Sequence, residues 1–397
     1  MRIHFLALIV GLLLTVFPVI TANAVVAQEK TLPFLIGTYT EGQFHGKGIY
    51  LSEFDPATGS MKPAELLQPY ASPAFLLKPP QKSSLPGGMV YAVGETWIAG
   101  QGPVYAFSFD SQAKSISPVN DIAVPGTGPT HLCVHVHPKG NSLVVACYGS
   151  GNLVSITLEK DGRLGKVVSN IQHSGSGPNP SRQKEPHPHG AYVVPGTSQI
   201  LIPDLGIDKV MMYEIDPATS QLKPSKQAFL EMPAGSGPRH LDFDPTDAAR
   251  FYVVNELDST VSAVRKSRDG RWAITQTAST LPQEILADSE KLAQLNNTTA
   301  EIAVHPSGRF VYASNRGHDS IAVFAVDKQR NSLTLIQTES TQGRTPRHFA
   351  IVPGGRFLLA ENQDTDTITA FKIDRQTGKL VPMNQVLEVG SPVCVVF

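Results

Sequence analysis

Short runs of alternating apolar and polar residues recur along this chain. Val104-Tyr105-Ala106-Phe107-Ser108-Phe109-Asp110, Ile321-Ala322-Val323-Phe324-Ala325-Val326-Asp327 and Ile368-Thr369-Ala370-Phe371-Lys372-Ile373-Asp374 each predict a strand. Each ends on an Asp and a turn such as Asp374-Arg375-Gln376-Thr377-Gly378, whose glycine suits the positive φ of a tight hairpin. A larger unit also repeats: a short apolar strand, a Pro/Gly turn, a second strand ending in polar residues, and a third strand. Gly-Pro-Arg-His-Leu-Asp-Phe-Asp-Pro (237–245) leads to Val-Val-Asn-Glu (253–256), and Thr-Pro-Arg-His-Phe-Ala-Ile-Val-Pro (345–353) leads to Leu-Ala-Glu-Asn (359–362). Between them, Ala-Glu-Ile-Ala-Val-His-Pro (300–306) leads to Ala-Ser-Asn-Arg (313–316). Repeats of this size, all strand and turn, predict a radial or stacked architecture.

Seven opening strands can be counted, at Ser72-Pro73, Gly128-Pro129, His187-Pro188, Gly237-Pro238, Thr299-Ala300, Thr345-Pro346 and Ser391-Pro392. The last has no room for the rest of its unit, because the chain stops at Phe397. The N-terminal end has the complementary defect: residues 35–40 and 48–55 look like second and third strands without a first. One C-terminal strand completing an N-terminal sheet closes a ring and hides open strand edges. The pattern therefore predicts an all-β fold, a seven-bladed β-propeller closed by the C-terminal strand. Two segments break the rhythm. Residues 170–186 are rich in Ser, Gly and Pro and predict a loop, and residues 281–297 predict a short helix. Both lead into an opening strand and are expected to overhang one face.

Composition agrees: 33 Gly and 31 Pro in 397 residues suit a turn-rich all-β chain. A net charge of −1 without basic runs argues against a nucleic-acid partner or a polybasic membrane patch. Arg2, the apolar run at 5–20 and Thr-Ala-Asn-Ala (21–24) predict a secretory signal peptide over 1–27, cut after Ala24 or Ala27; an uncleaved anchor is the alternative. The mature chain, 28–397, is then one propeller domain in the periplasm or the medium, monomeric and free of the membrane after cleavage. Cys133 and Cys147 flank the turn at 138–141 and could face each other across a hairpin, but directly opposed strand residues fit a disulfide poorly. Two buried thiols are expected.

Strands in a blade alternate direction, so the loop entering strand one and the loop leaving strand two share a face. This gathers His187, His189, Arg239, His240, Arg347 and His348 beside Asp204, Asn255, Glu256, Asn315, Arg316, Glu361 and Asn362. Charges from different blades converging on one channel mouth define a candidate active site. His187, His240, Asn255, Asn315, Arg347 and Asn362 are candidate substrate contacts. Glu256, between Asn255 and arginines of other blades, is the leading acid/base candidate, and His189 stands at a rigid turn in His-Pro-His-Gly. His137 and His305, before Pro-containing turns on the far face, read as structural, and Asp110, Asp327 and Asp374 as turn residues. No metal or organic cofactor is required; a calcium site from Glu256, Asn315 and Asp204 is the alternative.

At these positions the chain resembles a known family. His-Pro-His-Gly, Gly-Pro-Arg-His followed by Asn-Glu-Leu, and Ser-Asn-Arg-Gly-His-Asp-Ser (314–320) are similar to the seven-bladed propeller lactonases, a group that includes bacterial 6-phosphogluconolactonases and fungal carboxy-muconate lactonizing enzymes. The resemblance covers almost all of the mature chain. It implies a small-molecule lactone substrate and places the family's functional residues on His189, Arg239, Glu256 and Arg316. On that basis His189 or Glu256 is expected to activate water, and the two arginines to hold an anion or the developing oxyanion. Lactone formation from an unsaturated diacid is the runner-up chemistry, and a non-catalytic propeller binding a sugar acid or a protein is the other class. Ala303 departs from relatives that carry His there, and the signal peptide departs from a cytoplasmic phosphogluconate enzyme.

Overall fold

The computed structural model describes residues 30–80, 83–98 and 101–397; the expected signal peptide, 1–27, falls wholly outside them. The described residues form seven four-stranded antiparallel sheets, each ordered from the inside outward. Blade two, for example, runs Pro73–Leu77, Met89–Gly94, Gly102–Asp110, Ser115–Val124. Blades three to seven open at Pro129, Tyr192, Pro238, Thr298 and Pro346. The innermost strands touch their neighbours around the circle, with the contact from blade four to five made through its second strand. This is the seven-bladed propeller the repeats predict.

Blade one is the composite. Leu32–Thr38, Ile49–Phe54 and Glu65–Gln68 are joined on the inner side by the C-terminal strand Pro392–Val396. Ile36 pairs with Val395 and Gly37 with Cys394, so the last strand supplies the missing first one. The cores lie between blades. Each of the seven seams has its own apolar cluster; at the closing seam Leu359 and Ile368 of blade seven meet Phe34, Ile36 and Val395. Because every blade buries both faces, second strands such as Asn141–Cys147 are buried throughout.

The alternating pattern gave three strands per unit, and each blade has a fourth. Outer strands such as Ser115–Val124 are mostly half-buried or exposed, so their sequences carry little apolar periodicity. The hairpin turns do hold them as expected: Asp374 Oδ1 accepts from the amides of Gln376 and Thr377, and Gly378 has φ +75°.

Three local expectations need adjusting. Residues 170–172 still belong to a strand, Leu164–Gln172, and the loop begins at His173. Residues 281–297 hold two short helices, Gln283–Leu286 and Ser289–Leu295. Cys133 pairs with Val144 and Cys147 with Pro129, so the two cysteines do not face each other; all three thiols are free and buried. His305 is structural as read, its Nε2 donating to the Gly355 carbonyl at 2.8 Å. Among the described residues, no helix is long and apolar enough to cross a membrane.

Candidate functional site

Two repeated positions supply the channel mouth, and local backbone geometry selects both. The first follows the opening residue. In blade five Pro238 pairs with Asn255 and His240 with Val254, which leaves Arg239 as an extra residue, a β-bulge. The same one-residue shift follows Pro73, Pro129 and Pro346. In a regular strand consecutive side chains point to opposite faces; a bulge lets two neighbours turn the same way. That is why Arg239 with His240, and Arg347 with His348, all reach the channel. The second position is the residue just past strand two, whose amide bonds back to the opening: Glu95 to Ser72, Tyr148 to Gly128 and Glu256 to Gly237. Arg316 holds the equivalent place in blade six, paired with Thr298.

These residues enclose a cavity of about 260 Å³ lined by Glu95, Thr130, Tyr148, Arg182, His189, Glu256, Thr298, Arg316 and Arg347. Glu256 is its electrostatic centre. Its Oε1 accepts from Arg182 at 2.7 Å, and its Oε2 meets Arg239 Nε at 3.0 Å and Arg316 Nη2 at 3.1 Å. Burial alone would raise this carboxyl, but Arg316, Arg239 and Arg182 outweigh it and hold the pKa down to about 2. Arg239 is 2 % exposed and also donates to the Ala300 carbonyl at 2.7 Å. Arg316 donates through Nη2 to the Thr299 carbonyl, while its buried Nε–H has no partner.

Across the cavity Arg347 lies 3.5 Å from Glu95, which accepts from Tyr39 Oη at 2.5 Å. Between these walls sits His189. Burial, then Arg239, His240 and Arg347, push its imidazole well below the ordinary histidine range, so it is neutral at neutral pH. Its Nδ1 is buried without a side-chain partner, and the residue lines the cavity. Below, Phe75, His131 and His240 close the throat, with ring centroids 4.0 and 5.1 Å apart along that series. The remaining space there is about 10 Å³, room for a single water at most.

The structure thus joins Arg239, Glu256 and Arg316 in one cluster and puts His189 and Arg347 on the same cavity. His240 lies one step deeper, its Nδ1 2.9 Å from Glu301. His187 stays beside the mouth, stacked on Tyr148 with Nδ1 donating to the Tyr148 carbonyl. Asn255, Asn315 and Asn362 are fully buried and do not line the cavity. Their amides bind inside the blades: Asn255 to Thr260 and Ser262, Asn315 to Thr280 and Ser320, Asn362 to the Thr341 carbonyl. Adjacent residues on a strand face opposite ways, so a contact assigned to Asn255 belongs to Glu256. The calcium alternative also loses its donors. Asp204 is fully buried against His173 and the amides of His187 and Gly206, and both Glu256 oxygens hold guanidiniums. Ala303 packs against the cluster around Tyr312 and Phe349 and lines neither space.

Sequence reasoning missed Arg182, Glu95, Tyr148 and Thr130. The register of the repeat identifies three of them: Thr130 occupies the bulge position of Arg239, and Glu95 and Tyr148 the position of Glu256. Arg182 comes from the irregular loop, where no repeat could place it. Of the two irregular segments only the first lines the cavity, through Arg182; no residue of 281–297 does, and Thr298 beside it belongs to the opening strand of blade six.

A closed ring of seven blades with a cation-rich polar cavity at one mouth defines a propeller with a small-molecule site. The family model "Lactonase, 7-bladed beta-propeller" matches residues 33–397, and the chain belongs to this family of lactone-hydrolysing carboxylic-ester hydrolases. It is 32% identical to a 6-phosphogluconolactonase of Bacillus subtilis over 363 residues, 91% of this chain and 97% of the relative. A 6-phosphogluconolactonase of Formosa agariphila is 30% identical over 90% of this chain and 96% of its own. Among solved structures, the periplasmic gluconolactonase PpgL of Pseudomonas aeruginosa superposes with a TM-score of 0.83 at 29% identity, covering 93% of this chain and 99% of that one.

Proposed function

We propose that this chain hydrolyses a sugar-acid lactone in the mouth cavity, with His189 as the general base. The observation that carries the assignment is the pairing, in one small cavity, of a neutral unpartnered imidazole with an excess of cations. Three guanidiniums, Arg182, Arg316 and Arg347, line the cavity against two carboxylates, Glu95 and Glu256, and the buried Arg239 backs Glu256. That surplus suits a sugar acid carrying a phosphate, and equally the carboxylate formed when the ring opens. At about 260 Å³ the space is smaller than the roughly 300–1,000 Å³ typical of drug-sized ligands, which suits one sugar lactone.

Glu256 is a poor base, because three guanidiniums hold it ionised down to about pH 2 and use both its oxygens. Its role is to hold Arg182, Arg239 and Arg316 together. His189 Nε2 takes a proton from water as the water oxygen bonds to the lactone carbonyl carbon. The carbonyl oxygen becomes an oxyanion, and the Arg316 guanidinium on the cavity wall is the candidate donor to it. Collapse breaks the ring C–O bond, and the proton on His189 passes to the departing alkoxide. Arg347 and Arg182 anchor the substrate's anionic group.

The test is turnover of 6-phosphogluconolactone and glucono-δ-lactone by the purified mature protein and by His189→Ala. The variant should lose roughly 10²–10⁴-fold in kcat with its melting unchanged. A fully active His189→Ala protein would remove the imidazole from the mechanism. Export belongs to the same proposal. The apolar N-terminal run ending in Ala24 and Ala27 supports it, and the Pseudomonas relative is named a periplasmic enzyme. N-terminal sequencing of the protein from its native host should begin at residue 25 or 28; an intact Met1 on cytoplasmic protein would refute export.

A further inference from the structure

Trp97 is 61% exposed and lies at the rim of the mouth, two residues past the cavity residue Glu95. The indole is held from one side. A Cβ on Gly149 would fall 2.7 Å from Trp97 Cζ3, and one on Gly128 3.4 Å from its Cη2, so the two glycines leave room for the ring to lie against their backbone. The ring edge meets Tyr148, with centroids 6.3 Å apart and planes at 86°. The loop beneath is pinned: Thr96 is 2% exposed, and its carbonyl accepts from the Gly128 amide at 3.0 Å. One surface of the indole therefore packs on the fold while much of the ring stays open, and Ile98 beside it is also exposed, at 67%. Tyr148 lines the cavity, so an aromatic wall runs from the cavity to the open indole.

Resting on the lactonase assignment, we propose that Trp97 forms a subsite for a pyranose ring linked to the sugar acid outside the cavity. The cavity holds one small ring, so a second ring must leave it over the rim. A fixed indole offers the apolar C–H face of a pyranose a flat surface to bury. The polar cavity wall of Thr130, Tyr148 and Glu95 suits a hydroxyl-rich ligand, so the part of the ligand beyond it is taken to be saccharide as well. This makes a disaccharide aldonolactone the preferred substrate class.

The two tryptophans allow a direct test. Trp272 is 3% exposed, packed on Phe251 in blade five, so a change in emission on ligand binding reports Trp97. The mature protein is titrated with gluconate and with maltobionate, a glucose linked to gluconate. Maltobionate should change the emission and gluconate should not. By calorimetry, Trp97→Ala should weaken maltobionate about tenfold, with Trp97→Phe recovering most of the loss and gluconate moving by less than about twofold. Saturating maltobionate without an emission change, or an equal loss for both ligands, overturns the subsite and leaves the lactonase assignment standing. Failure of either sugar acid to bind the wild-type protein, together with no turnover of either lactone, overturns both. Trp97→Ala affecting only self-association would make the indole a protein contact and also overturn the subsite.

Discussion

Blades five and seven open on the same three residues, Pro-Arg-His, with the same bulge, yet the two copies sit in different electrostatic settings. Arg239 is essentially buried and meets the acid of its own blade, Glu256, at 3.0 Å. Blade seven has Gln363 in the place of Glu256, so Arg347 is without an acid there and reaches Glu95 of blade two at 3.5 Å. Burial, then Arg347 and Arg316, bring Arg239 down to about 10, whereas Tyr39, Glu95 and Glu256 outweigh burial at Arg347 and hold it above its usual value. The histidines separate too. Burial brings His240 down to about 4 despite Glu301, while Glu301 and Glu361 overcome burial at His348 and raise it. A shared motif fixes where these side chains point, and the residue past strand two fixes what they do.

The largest expected effect breaks the blade-five setting. Glu256→Gln leaves three guanidiniums together without their common counter-charge, and removing one partner of a buried ion pair costs about 3–5 kcal/mol. Glu95→Gln, in the longer and less buried pair with Arg347, should cost less, about 1–2 kcal/mol. Denaturant unfolding of the two variants checks this, and equal losses would mean the two clusters are equivalent.

Next come the arginines themselves. Arg239→Ala removes a buried side chain that holds Glu256 and the Ala300 carbonyl, so about 3 kcal/mol of stability should go with activity. Arg347→Ala should keep its melting temperature and instead raise KM roughly tenfold, the loss of one charge-assisted contact to the anion. Steady-state kinetics beside thermal melts separate the two. A stable Arg239→Ala protein with only a raised KM would erase the distinction.

The ring, its closure and the face carrying the site were legible because they follow from repetition: seven openings, an unfinished last unit and an N-terminal sheet lacking its first strand. The Arg-His pairs, Glu256 and Arg316 stood out as charges at repeated places. What the sequence hid was the facing of single residues. Asn255 and Glu256 are neighbours in the same polar strand end, and only the register shows that the amide turns into the blade. Glu95 and Tyr148 end strands whose last residues are Gly94 and Cys147, so the polar signature that marked blades five and six is missing there. Arg182 reaches Glu256 across 74 residues from a loop without periodicity.

The smallest effect concerns the two histidines and has opposite signs. His240 is depressed in the folded protein, so the unfolded chain takes up a proton near pH 6.5 that the native state refuses until about 4. Its contribution to stability is therefore lost as the pH falls through that window. His348 is raised by Glu301 and Glu361, so its contribution is fully present below about pH 6.5 and is lost as the pH rises through its folded value. Replacing each with Gln removes one slope. Relative to wild type, His240→Gln should gain stability as the pH drops from 7 to 5. His348→Gln should fall furthest behind wild type in acid and recover toward pH 8. Unfolding free energies measured for both variants across pH 5–8 decide it. Slopes of the same sign would mean that burial alone, and not the carboxylates around His348, sets the two imidazoles.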